Sequence, residues 1–103
     1  MINTGHDVNV VNITGNLCSD VEWKTDESGN KYVGFFGVST ARKVKQEFVS
    51  DRHSIVVKGR AIENFPDIKK GDRVAIQGVL TYKKREGVNF PSAEIQLESI
   101  KAL

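Results

Sequence analysis

The chain has 103 residues, of which 39% are hydrophobic and 27% charged, and its formal net charge is +2. That length supports one hydrophobic core and not two, and that composition belongs to a globular domain, which excludes a disordered or fibrous chain. No stretch approaches the roughly 20 apolar residues of a membrane-spanning helix, the N-terminal MINTGHDVNV lacks the order of a secretory signal, and the lone Cys18 can form neither an internal disulfide nor a thiolate metal site. One cytoplasmic domain over residues 1–103, without membrane contact, is therefore expected.

The first predicted element is a strand over Val8–Leu17, rich in β-branched residues and closing on a Gly-Asn pair. SDVEWKTDESGNK follows, read as a loop around its Asp-Glu-Ser-Gly-Asn cluster. A second strand is expected over Lys31–Thr40. In the third, Arg52–Gly59, alternation puts Ile55 and Val57 on one face and Arg52, Ser54, Val56 and Lys58 on the other. Pro66 interrupts AIENFPDI, which leaves at most a short helix or turn. The turn KKGD introduces a fourth strand, Arg73–Leu80, and the basic loop YKKREGVNF separates it from a fifth, Ser92–Ile100. Three strands, a short helix and two strands predict an all-β, five-stranded OB-like barrel, closed or nearly so because closure removes exposed edges.

The net charge is too small to imply a polyanionic partner, but its distribution is uneven. Residues 1–41 sum to −3 and residues 42–60 to +4, and Lys83, Lys84 and Arg85 form a second basic block. Two basic blocks on one barrel can line a single groove.

Four segments in order, VNITGNL, VGFFGVST, DRHSIVVKGRAIE and IKKGDRVAIQGVL, resemble the bacterial and phage single-stranded DNA-binding protein family over roughly residues 8–100. The resemblance implies an OB fold, binding of single-stranded DNA without sequence specificity, and assembly into homo-dimers or tetramers with Val8–Leu17 as the pairing edge. It also implies service in replication, recombination or repair, a nucleoid-associated location, and replication or recombination proteins as further partners. The chain departs from the family pattern at several aromatic positions, where Arg52, Lys58, Val44 and Arg85 stand instead. The long region ending in an acidic tip has no counterpart, so recruitment by that route is not expected. A short form also resembles the primosomal replication protein N group, OB adaptors that bind single strands and bridge helicase-loading proteins; His53 favours the first family.

Binding a single strand takes cations for the phosphates and flat side chains for the bases. The candidate cations are Arg42, Lys43 and Lys45 in a loop after the second strand, Arg52, Lys58 and Arg60 on the third, and Lys83, Lys84 and Arg85 in the last hairpin. A charge run is also simply a solvated face; coincidence with the usual OB groove favours binding. Since the resemblance aligns Phe36 with the core, alternation puts Phe35 on the opposite face as a stacking platform. Trp23, Phe48 and Tyr82, and less so Phe90, flank loops where an aromatic can meet a base, cap the barrel or fill a subunit interface. Arg52 and Arg85 can themselves stack on bases.

No chemistry beyond binding is expected. Ser50, Asp51 and His53 are too crowded to converge as a nucleophile with its base, and two histidines with one cysteine give no metal spacing. No phosphate-cradling glycine loop is present, so no catalytic residue and no cofactor are assigned. His53 has core-facing parity and reads as a packing residue. A third alternative is a barrel that binds only protein.

Overall fold

The β-branched run Val11–Leu17 forms strand β1 of the computed structural model, which describes residues 7–84, 86–87 and 89–103. Strands β2 (Glu22–Thr25), β3 (Lys31–Val44) and β4 (Glu47–Lys58) follow, then the one-turn helix α1 (Arg60–Glu63), β5 (Arg73–Lys83) and β6 (Ser92–Ala102). Five of the six strands close a barrel. β5 joins β1 to β6, β6 runs parallel to β4 with Ile55 opposite Ile95, β4 pairs with β3, and β3 returns to β1. With a short helix between its third and fourth barrel strands, this is the expected OB arrangement.

The seam between β1 and β3 is short, only Asn16 opposite Ser39 and Leu17 opposite Val38. It closes because Gly15 has no side chain. A Cβ there would lie 2.2 Å from the Ser39 carbonyl oxygen, inside any permissible contact.

Alternation fills the interior. Leu17, Phe36, Val38, Ile55, Val57, Val74, Ile76, Ile95 and Leu97 form the buried core, and Val38, Val57 and Val74 are completely buried. Phe65, beyond α1, plugs one end of the barrel, edge-on to Phe36 and to Trp23 at centroid distances of 5.8 and 5.2 Å. His53 is half-buried at the opposite end of the core stripe and shares a 2.8 Å hydrogen bond with the Thr40 hydroxyl, the packing role its parity predicted.

β5 and β6 run on to Lys83 and Ala102 where Leu80 and Ile100 were expected, so Tyr82 and Lys83 are strand residues and not loop residues, and three further differences shape the molecule. β1 starts at Val11 rather than Val8, because the Asn9 side chain takes over the ladder: its amide nitrogen donates to the Leu80 carbonyl and its oxygen accepts from the Leu80 N–H, both at 2.9 Å. The segment read as a loop contains β2, which pairs with β3 through Glu22 opposite Phe35 and Trp23 opposite Gly34. The Asp-Glu-Ser-Gly-Asn cluster does form the hairpin loop, Asp26–Asn30, held by the Asp26 carboxylate accepting from the Ser28 and Asn30 N–H groups at 2.9 Å.

The third difference matters most for function. β3 and β4 continue well beyond the barrel as a hairpin arm, paired down to Val44 opposite Glu47 and turned by Lys45 and Gln46 alone. Both turn residues are left-handed, with φ of 49° and 72°, the primed turn that matches the twist of a two-residue hairpin.

Candidate nucleic-acid interface

The inward parity of Phe36, Val38, Ile55 and Val57 fixes what faces out. On β3 the outer residues are Val33, Phe35, Gly37, Ser39, Ala41 and Lys43; on β4 they are Phe48, Ser50, Arg52, Ser54, Val56 and Lys58. At about 3.3 Å per residue, the β4 track from Phe48 to Lys58 runs roughly 33 Å along one face.

Phe35 sits at the centre of this face. It pairs across the ladder with Val56, which is only 6% exposed although it points outward, because the side chains of the groove cover it. The Lys24 and Lys83 ammonium groups, reaching in from β2 and β5, each lie 5.7 Å from the Phe35 ring centroid. An aromatic ring with two cations close by is suited to a base that stacks while its flanking phosphates are neutralised.

Two hollows meet at Phe35. One, of about 340 Å³, is lined by Val33, Val56, Lys58, Lys83 and Gln96; the other, of about 380 Å³, by Ser19, Glu22, Arg52, Ser54 and Glu94, and Glu94 borders both. Arg52 is seated over the bare backbone of Gly37, where a Cβ would come within 2.8 Å of its Nε. Together they make a continuous groove across the barrel wall.

The arm extends this face. Lys43 and Phe48 are cross-strand partners on its outer side, and Phe48 is 77% exposed. Arg42, its neighbour in sequence, points the other way and does not join them. Its Nε donates to Asp51 Oδ2 at 2.5 Å and its Nη2 to Oδ1 at 3.4 Å. That hydrogen bond and the attraction behind it raise the Arg42 pKa, and the same hydrogen bond holds the Asp51 carboxyl below its ordinary value. This is the one ion pair among the described residues. The expected loop at Arg42, Lys43 and Lys45 is thus two strand residues on opposite faces and one turn residue, a correction that follows from the hairpin's length.

The other candidates are dispersed. Tyr82 borders the groove at its Lys83 end and is exposed. Arg60 opens α1 and lines a separate hollow with Asn64 and Leu97, while Lys84 is exposed just beyond β5 and borders neither half of the groove. Trp23 is half-buried against Phe65, with the Lys31 ammonium 4.7 Å from its ring, in a hollow of about 500 Å³ beside Ile62 and Ile68. Phe90 is exposed and borders no part of the groove. Arg85 lies outside the described residues.

Glu22, Glu94 and Gln96 line the groove and Lys24 reaches the Phe35 ring within it, and none of the four was singled out from sequence. Lys24 and Glu22 lay in the supposed loop; extending alternation backward across Trp23 would have placed both on the outer face.

The model of the Single-strand binding protein family matches residues 8–103. Among solved structures, the Plasmodium falciparum SSB in complex with ssDNA superposes with a TM-score of 0.78 at 24% identity, covering 98% of this chain and 99% of that one. A deletion mutant of the single-stranded DNA binding protein from Thermus aquaticus gives 0.72 at 20% identity, covering 93% of this chain and 50% of that one. A search of curated protein sequences found no match.

Proposed function

The chain belongs to the single-strand binding protein family, and from that membership and the groove we propose that it binds single-stranded DNA without recognising a defined sequence. The observation that carries this reading is Phe35 with the Lys24 and Lys83 ammonium groups beside it, on the same face as Arg52, Lys58 and the Lys43–Phe48 pair of the arm. Bases stack on the aromatic rings while phosphates track the cations, and neither contact depends on base sequence. Coating and protection of single strands during replication, recombination or repair is the role this supports, with binding as the whole activity and no covalent step.

The protein acts as a homo-oligomer in this reading. β1 pairs with β5 along one edge, but its other edge meets β3 only at Asn16 and Leu17, so among the described residues the N–H and C=O groups of Val11–Gly15 on that side have no strand partner. An open edge of this kind accepts another strand, and linked binding sites gain avidity along a continuous nucleic acid. A primosomal adaptor has no specific observation in its favour here.

Anisotropy of a labelled mixed-sequence oligonucleotide, titrated at several salt concentrations, tests the reading. Four cations on the outer face, Lys24, Lys43, Lys58 and Lys83, predict a slope of log K against log salt of about −2.8 per protomer, at about −0.7 per phosphate neutralised on a single strand. Absence of binding at low salt would overturn it.

A further inference from the structure

The two halves of the groove carry opposite charge, and this bears on which base each can hold. Around Val56 the lining groups include Lys58 and Lys83 with only Glu94 against them. Past Phe35, the lining includes Asp20, Glu22 and Glu94 against Arg52 alone. A phosphate is drawn to the first half and repelled from the second. A strand held on the first half therefore enters the second with a base and not with its backbone.

The groups there are specific about that base. Asp20 is occupied, its Oδ1 accepting the Lys70 N–H at 2.7 Å. The carboxylates of Glu22 and Glu94 have no hydrogen-bond or ion-pair partner among the described residues, and the Thr81 hydroxyl donates only to the Glu94 backbone carbonyl. Glu22 lies directly across the ladder from Phe35, so its carboxylate stands at the rim of the stacking platform. A carboxylate accepts from the exocyclic amine of cytosine, and a guanidinium on the same edge donates to that base's ring nitrogen and carbonyl. Thymine offers a carboxylate one ring N–H flanked by two carbonyl oxygens, which the negative charge repels.

We propose that Glu22, Glu94 and Arg52 form a base-reading pocket at the end of the Phe35 platform that favours cytosine over thymine. This deepens the proposed single-strand binding and rests on it. The preference is one of base composition at a single subsite and coexists with binding that reads no defined sequence.

The test compares labelled oligo-dC and oligo-dT of equal length at pH 7.5 and one salt concentration, with the full chain and with the Glu22→Gln, Glu94→Gln double variant. A preference for oligo-dC of at least about fivefold is expected, the low end for one good base contact. In the double variant oligo-dT binds more tightly, because the charges that repel its carbonyl oxygens are gone, while oligo-dC loses its contacts to ionised carboxylates, so the ratio between them falls toward one. Anisotropy in the variant also reports that it folds. Equal affinities, or a preference for oligo-dT in the unaltered chain, overturn the pocket and leave single-strand binding standing. A ratio unchanged in the double variant overturns the assignment to these carboxylates. Binding of neither strand removes the underlying function and the pocket with it.

Discussion

Arg42 and Lys43 are adjacent cations, yet the hairpin assigns them opposite faces, and their removal separates the proposed binding face from general charge attraction. Lys43 stands beside Phe48 on the outer side, whereas Arg42 is engaged with Asp51 on the inner side. If Lys43 neutralises one phosphate, Lys43→Ala lowers the magnitude of the salt slope by about 0.7. Over a fourfold change in salt that amounts to between two- and threefold in affinity, measurable by anisotropy across 50–200 mM salt. Arg42→Ala removes the same formal charge but no phosphate contact, and it frees the Asp51 carboxylate, so its slope stays within about 0.2 of the parent. Equal slope changes in the two variants, or a larger one for Arg42→Ala, would refute the assignment of faces.

Gly15→Ala places a methyl group against the Ser39 carbonyl at the short β1–β3 seam; a loss of at least about 2 kcal/mol is expected in urea unfolding, and an unchanged midpoint would contradict the seam's tightness. Gln46→Gly relieves a left-handed residue in the hairpin turn, at about 1 kcal/mol, and should slow hydrogen exchange of the arm amides roughly fivefold. The Arg42–Asp51 pair braces the arm in a pH-dependent way. Because Asp51 titrates lower in the folded chain than its ordinary value near 3.9, its contribution is complete above that value and lost as pH falls through the lower folded one. Amide signals beside the Arg42–Asp51 pair should therefore change as pH falls below about 4, and Asp51→Asn should remove that change at those amides.

The barrel was legible in the sequence because its strands are half-buried. Ile55 and Val57 alternate with Arg52, Ser54 and Lys58, and a period of two survives wherever one face meets a core and the other meets water. Phe35 could be assigned outward for the same reason, once Phe36 was placed inward. β2 escaped notice because its four residues, Glu22–Thr25, contain one apolar side chain, and a strand so short carries no period. The arm escaped notice for a related reason. Residues 41–50 are exposed on both faces, so nothing in their polarity marks them as a strand, and Lys45–Gln46 lacks the Asn-Gly signature of the turn it forms.

Hence the cations of that segment were recognised but not their faces. Val56 reads as an outward residue and is one, yet it is buried, because burial there is produced by Phe35, Gln96 and their neighbours, which come from three different strands. Trp23 could not be assigned from sequence, since its environment depends on Phe65, 42 positions further along the chain. Functional sites made from one strand's alternation are readable in this way. Sites made by the meeting of β2, β3, β5 and β6 are not, and the Lys24–Phe35–Lys83 cluster is of the second kind.

On the proposed binding face, the outer side of β3 and β4 holds the strand. Photocrosslinking tests it most directly: a mixed-sequence oligonucleotide carrying 5-iodouracil at single positions is irradiated with the protein, and the adducts are mapped by mass spectrometry of the digested chain. Adducts at Phe35 and Phe48 are predicted, with none at Trp23, whose ring is packed on Phe65. Adducts confined to Trp23 or Phe90 would place the strand on another surface and contradict the account.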